Sequence, residues 1–138
     1  MSTPSTPAPQ LGPYELVDRI AAGGMAEVFR AREPRSAGEP RTVVLKRMLP
    51  HVAATPDARV MFREEARLGA FVRHRNVVEV LDSGEHEQQP FLVLEYVPGV
   101  DLWRLGRWLQ RQGRTLGTPL ALLVVGPYLT VQYRRGAL

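Results

Sequence analysis

The chain has 138 residues, 44% hydrophobic and 23% charged, enough for one domain with a core and too few for two ordinary ones. With no cysteine it has no disulfide framework, thiolate metal site or cysteine nucleophile. Its longest apolar run, Leu120 to Gly126, falls far short of the ~18 residues that a membrane helix needs. Net charge is +4, and 17 of the 18 basic side chains are arginine, leaving Lys46 as the one lysine. The arginines run from Arg19 to Arg135 with acids between them, so the excess reads as solvated surface and nucleic acid is not the expected partner. The first residues have no basic region and no apolar stretch, which excludes a secretory signal and makes a cytoplasmic protein the expectation.

In chain order, residues 1–13 are Ser, Thr, Pro and Ala with almost nothing apolar, and are expected to form a disordered leader. Tyr14 to Ile20 and Glu27 to Arg32 read as strands, with Ala22-Gly23-Gly24 turning between them. A polar loop over Glu33 to Arg41 leads to Thr42 to Lys46, a β-branched run that reads as a buried strand. Pro50 to Pro56 reads as a connector. Asp57 to Arg73 is the best helix candidate, capped by Thr55 or Asp57. Val77 to Asp82 and Phe91 to Val97 are strand candidates with Ser83-Gly84 and the polar EHEQQ between them. Asp101 to Gln112 reads as a helix, and Thr118-Pro119 starts another that Gly126-Pro127 stops. The order β-β-β-α-β-β-α-α predicts an α+β lobe, an antiparallel sheet with a helix against it.

Three features carry chemistry. The segment from Ile20 to Val28, IAAGGMAEV, is a strand, a glycine-containing turn and a strand, one way to lay backbone N–H groups over a phosphate chain. Val43-Val44-Leu45-Lys46 ends a buried strand on a lysine, which is costly unless paired. On the following helix, Met61, Leu68 and Val72 line one apolar face, and Glu65 falls on that stripe. A buried pair between Lys46 and Glu65 is the expectation, and losing either partner of such a pair costs about 3–5 kcal/mol. Periodicity alone leaves Glu64 as the rival acid.

Five segments in order resemble the N-terminal lobe of a Hanks-type bacterial serine/threonine protein kinase, from about Tyr14 to about Val125: IAAGGMAEVF, VVLK, FREEARL, HRNVVEVLDSG and FLVLEYVPGVDL. The resemblance implies a five-stranded antiparallel sheet with one packed helix over 14–97, the half that binds ATP. It implies a hinge exit and the first helices of an incomplete C-terminal lobe over 98–126, and an atypical tail over 127–138. In the family pattern the pairing glutamate precedes an alanine, which selects Glu65, before Ala66, over Glu64. Lys46 would contact the α- and β-phosphates of ATP and pair with Glu65. The turn residues Ala21, Ala22, Gly23, Gly24, Met25 and Ala26 would cover the phosphates. Val28 and Val44 would cover the adenine, with Leu94 as gatekeeper. Glu95 and Val97 would offer backbone groups to its edge, and Asp101 would reach the ribose. His74 would stand in the turn before the fourth strand.

Two departures qualify this. Ala21 and Ala26 replace the outer glycines of the family's G-x-G-x-x-G. No His-Arg-Asp, Asp-Phe-Gly or Ala-Pro-Glu occurs in the chain, so the general base and the magnesium ligands of the family are not among its residues. His51, His74 and His86 have no metal-ligand spacing, so no metal site is expected. After Gly126 the sequence resembles nothing in a kinase, and a reading-frame interruption or gene remnant is the expectation. Leu120 to Val125 would then lack a lobe to bury against, which predicts aggregation or a protein partner. The expected function is that of a truncated serine/threonine kinase domain that binds ATP and is inactive alone. The alternatives are a non-catalytic nucleotide-binding or interaction module acting in trans, and an arginine-rich binding protein. Arg104, Arg107, Arg111 and Arg114 form the best basic helix side for nucleic acid or an acidic partner, with a solvated face as the expected reading.

Overall fold

The computed structural model describes residues 9–75, 77–100 and 102–115. The chain divides into two compact units, Met1–Phe71 with Glu79–Tyr96, and Val72–Val78 with Val97–Leu138. The first holds β1 (Gln10–Leu11), β2 (Tyr14–Ala22), β3 (Ala26–Glu33), β4 (Arg41–Met48), α1 (Pro50–Ala53), α2 (Pro56–Phe71), β5 (Val80–His86) and β6 (Gln89–Glu95). Its strands form one antiparallel sheet in the order β1-β2-β3-β4-β6-β5.

Strand β4 explains the layering. Val43, Val44 and Leu45 are consecutive and all buried, so both faces of the strand are covered. On one face Val43 and Leu45 join Leu11, Tyr14, Leu16, Ala31, Phe91 and Val93. On the other, Met48 and Leu92 pack against Ala53 of α1 and Phe62 and Ala66 of α2. The valine, leucine, methionine and phenylalanine side chains among these each contribute roughly 1.5–3 kcal/mol when fully buried. Tyr14 closes the first face: its hydroxyl donates to Asp82 Oδ2 at 2.8 Å, and its ring meets Phe91 edge-on at 6.1 Å. Burial first, and then the bond to Asp82, push the phenol well above its usual range.

Several expectations are corrected. The sheet has six strands, not five, because Gln10–Leu11 lies in the expected leader and pairs with Glu15 and Tyr14. Leu11, fully buried, anchors it. The expected connector contains α1. The α2 stripe is also different. Met61 and Leu68 are exposed, at 64% and 59%, while the helix buries Phe62 and Ala66 with Ala58 half-buried beside them. Small residues let the helix lie close to the sheet: a Cβ on Gly69 would come 2.5 Å from Val80 Cγ2. Strand β5 starts at Val80 rather than Val77 and continues through Ser83-Gly84. Gly84 stands opposite Phe91, whose ring fills the space a Cβ would need, with Cζ 2.7 Å from that position. The hairpin then turns in two residues, Glu87 and Gln88, both left-handed at φ 49° and 64°.

In the second unit the Val77 N–H donates to the His74 carbonyl at 3.0 Å, a turn that precedes β5. Helix α3 (Leu102–Arg111) ends at left-handed Gly113, with Arg114 N–H bonded to Leu109 O and Gly113 N–H to Gln110 O, both orphan carbonyls thereby satisfied. Arg104, Arg107, Arg111, Arg114 and Trp108 are exposed. The expected helix from Thr118, the apolar segment 120–125, the tail 127–138 and residues 1–8 of the expected leader lie outside the described residues.

Candidate functional site

The face of the sheet that carries α2 also carries Lys46. Register places Val28 of β3 and Leu92 of β6 opposite Lys46, Ala26 opposite Met48, and Val44 opposite Leu94. Strand alternation therefore sets Ala26, Val28, Val44, Lys46, Met48, Leu92 and Leu94 on one face. Val44 is 7% exposed and Val28 and Leu94 are half-buried, so the lysine stands in an apolar surround.

Helix α2 completes the pair. Lys46 Nζ donates to Glu65 Oε1 at 2.7 Å and lies 5.6 Å from the centre of the Phe62 ring. Glu64 turns away and binds Arg67. The pair is not buried as the sequence suggests: the side chains are 28% and 54% exposed. Half-exposed ion pairs contribute about 0–1 kcal/mol, so this one does little for stability. What it does is aim. A flexible four-carbon stem lying over an aromatic ring gains one preferred direction for its charge.

Beside the lysine, Gly23, Gly24 and Met25 connect β2 to β3. Gly23 N–H donates to Ala26 O at 2.9 Å, and Met25 O accepts from Leu49 N–H at 3.0 Å. Neither glycine is left-handed, so the turn does not demand glycine for its shape. A Cβ on Gly24 would meet nothing within 4 Å, and one on Gly23 only Ala26 O at 3.8 Å. What the glycines provide is bare backbone open to close approach. Ala21 pairs with Val28 and Ala22 with Glu27, and both alanines are exposed.

The strands flanking the turn are braced from the other face. Glu27 accepts from Arg19 at 3.0 Å and from Arg47 at 3.1 Å, and Arg47 lies over the Phe29 ring. The hydrogen bond from Arg47, then that from Arg19, holds the Glu27 carboxyl below the usual range. At the end of β6, Glu95 N–H donates to Glu79 O at 2.9 Å. Val97 is buried in the second unit, and Asp101 lies outside the described residues.

The structure thus brings Ala26, Val28, Val44, Lys46, Leu94 and Glu65 to one face, with the glycine turn at its edge. Sequence reasoning missed Phe62, the surface under the lysine stem. The spacing of Ala58, Phe62, Ala66 and Gly69, offsets of 4, 4 and 3, carried that signal in small residues rather than large aliphatic ones. Chemically, a point cation between apolar walls, beside a glycine turn open to close approach, suits an anion attached to a flat apolar group. Among the described residues, no three histidine or acidic side chains converge to hold a metal ion.

Comparison with known proteins gives the same direction. The family model described as protein tyrosine and serine/threonine kinase matches residues 14–125. The tyrosine-protein kinase MasK of Myxococcus xanthus is 41% identical over 114 residues, 83% of this chain and 18% of that protein. The serine/threonine-protein kinase PknE of Mycobacterium bovis is 33% identical over 93% of this chain and 22% of its own length. The kinase domain of Mycobacterium tuberculosis PknI superposes with a TM-score of 0.69 at 27% identity, covering 89% of this chain and 48% of that one. The chain therefore spans about a fifth of these curated relatives and about half of a solved kinase domain.

Proposed function

Because the chain belongs to the protein tyrosine and serine/threonine kinase family, we propose that its first unit is an ATP-binding half-site. Lys46 holds the α- and β-phosphates, Glu65 aims Lys46, and the backbone of Gly23 to Ala26 lies along the phosphate chain. Val28, Val44 and Leu94 enclose the adenine, and Glu95 presents backbone groups to its edge. The observation that carries this reading is the 2.7 Å contact of the chain's only lysine with Glu65, on the sheet face shared with Val28 and Val44. Arginine is plentiful in this chain, and its wide fork does not replace a compact ammonium at such a spot.

The reaction proposed for a complete domain of this kind is transfer of the ATP γ-phosphoryl to a protein serine or threonine hydroxyl. Within these residues no catalytic-loop aspartate or metal-holding motif is present. Phosphoryl transfer depends on the charge stabilisation and positioning those groups supply. The 138-residue stretch by itself is accordingly proposed to bind nucleotide without turning it over.

The test is a thermal melt of the chain with and without millimolar Mg-ATP, beside Lys46→Ala. Binding at a hundredfold excess over Kd adds about 2.7 kcal/mol to the folded state. An upward shift in the wild type that Lys46→Ala abolishes is expected. No shift, or equal shifts in both proteins, overturns the reading. A second reading, an interaction module in trans, has one observation in its favour. Val60, Met61, Leu68 and Phe71 leave an apolar side of α2 58–77% exposed. Concentration-dependent sedimentation that Leu68→Glu abolishes would support it.

A further inference from the structure

The Lys46–Glu65 contact is too weak to hold α2 in place, so something else must fix the helix that presents Glu65. The side chains of an α-helix stand about 5–6 Å from its axis. A rotation of α2 by about 20° would therefore displace the Glu65 carboxylate by about 2 Å, from 2.7 Å to beyond ion-pair range.

The N-terminal half of α2 is gripped by the β5–β6 hairpin. One Arg59 nitrogen donates to Gln88 O at 2.7 Å, and the other donates to Glu85 Oε2 at 2.5 Å. Arg63, one turn later on α2, reaches the same Glu85 oxygen at 3.3 Å. The Arg59 guanidinium is only 22% exposed and also lies 3.4 Å from Ala53 O at the end of α1. The turn that carries Gln88 is itself tightly specified, since Glu87 and Gln88 both adopt left-handed backbone. Glu65 follows Arg63 by two residues. The connections form a closed circuit: Glu85 on β5, β5 to β6, β6 to β4, Lys46 on β4 to Glu65 on α2, and α2 back through its two arginines to Glu85.

We infer that Glu85 is a positioning residue: with Phe62 and Ala66 seating α2 on the sheet, its joint grip on Arg59 and Arg63 sets the rotation of the helix and so keeps Glu65 on Lys46. The functional meaning of this grip rests on the reading of Lys46 as the phosphate-contacting residue, but the grip itself does not. The state of the Glu85 carboxyl agrees with it. The hydrogen bond from Arg59 first, with Arg63 adding, holds it below the usual carboxylate range. Bonds from two successive turns of one helix to a single carboxylate resist its rotation more than either bond alone.

The sole lysine makes the test direct. A Lys46 head held on Glu65 and over the Phe62 ring is less free to approach an acylating reagent than a released one. The acylation rate of Lys46 by an acetyl N-hydroxysuccinimide ester, followed by peptide mass spectrometry well below the melting temperature, therefore reports the Lys46–Glu65 contact. Glu65→Gln sets the rate for a broken contact, expected at about two- to fivefold the wild-type value, the equivalent of an exposed ion pair. Glu85→Gln should reach that rate, and the Glu65→Gln/Glu85→Gln double variant should not exceed it. Arg63→Gln, which removes one exposed arm, should fall between. It keeps the test available should Glu85→Gln fail to fold. If Glu85 only stabilises the hairpin, Glu85→Gln and Arg63→Gln lower the melting temperature while Lys46 acylates at the wild-type rate, and the inference is overturned. Protection of wild-type Lys46 by Mg-ATP tests the nucleotide reading separately. Protection with an unchanged Glu85→Gln rate removes the grip alone, and the converse removes the nucleotide reading alone.

Discussion

Replacing Gly69 by alanine should destabilise this protein, although the same change in an exposed helix normally stabilises it. Alanine gains about 1 kcal/mol over glycine within a helix, mostly backbone entropy. At Gly69, however, the new Cβ would stand 2.5 Å from Val80 Cγ2, where carbon–carbon contacts favour about 3.5–4.0 Å. Relief requires either turning the β-branched Val80 off its rotamer or moving α2 about 1 Å off β5. Overpacking of this kind costs roughly 1–3 kcal/mol. Subtracting the helical gain leaves a net loss near 1 kcal/mol, a fall of about 3–5 °C in melting temperature for a chain of this size. Gly106→Ala on α3 is the internal control, since a Cβ there finds no described atom within 4 Å and should gain the full propensity. Parallel thermal and urea melts of the two variants read the comparison. Should Gly69→Ala rise in stability as Gly106→Ala does, α2 does not sit on β5 as closely as argued. Gly69 also lies one turn beyond Glu65 on the same side of α2, so the helix shift should weaken the Lys46–Glu65 contact as well.

Three further outcomes are expected. Gly24→Ala should leave stability within about 0.5 kcal/mol, because the backbone there is not left-handed and the added methyl meets nothing, yet it should lower affinity for Mg-ATP by titration calorimetry. Unchanged affinity would mean that no phosphate approaches that backbone. The double change Glu87→Asn with Gln88→Gly suits a two-residue turn with both residues left-handed, and should add about 1 kcal/mol in urea denaturation. It leaves the carbonyl that receives Arg59 in place. Glu27 and Glu85 both have folded-state pKa values lowered by arginine partners, so the stability they confer is present above the unfolded carboxylate value of 4.5 and is lost as pH falls through the folded values. The melting temperature should be flat from neutral pH to about 5 and fall below it, with a shallower fall in Glu27→Gln. An equal fall in that variant would remove Glu27 from the account.

Strands made of β-branched and aromatic residues were legible because burial and local preference agree in them. Val43 to Leu45 is apolar on both faces, and the structure buries it on both. The misreadings share a cause, which is that tertiary contact reassigns residues whose local preference is ambiguous. Val77 and Val78 look like strand residues, yet a turn closed by the His74 carbonyl holds Val77 before β5 begins. Ser83-Gly84 looks like a loop, yet a cross-strand phenylalanine covers the missing side chain and keeps it in β5. Gln10–Leu11 has too few residues for any periodicity to show, and only the pairing with Glu15 and Tyr14 makes it a strand. On α2 the large aliphatic residues drew attention to the wrong side, because a helix lying close against a sheet buries its small residues.

The candidate site was legible for a different reason. Lys46 stands out by composition, one lysine among arginines, and the resemblance rather than the apolar stripe selects Glu65. The structure removes the stripe as a justification and keeps the contact. That separation is informative. Glu65 is not on Lys46 because both were driven into a core, since both remain partly exposed. Its place follows from where α2 is fixed, by Phe62 and Ala66 under the helix, by the close approach at Gly69 and by the two arginines on Glu85. An exposed ion pair is worth little to folding. Geometry that persists with so little stabilisation of its own is held by the residues around it, and those are where variants should uncouple stability from the direction of the lysine.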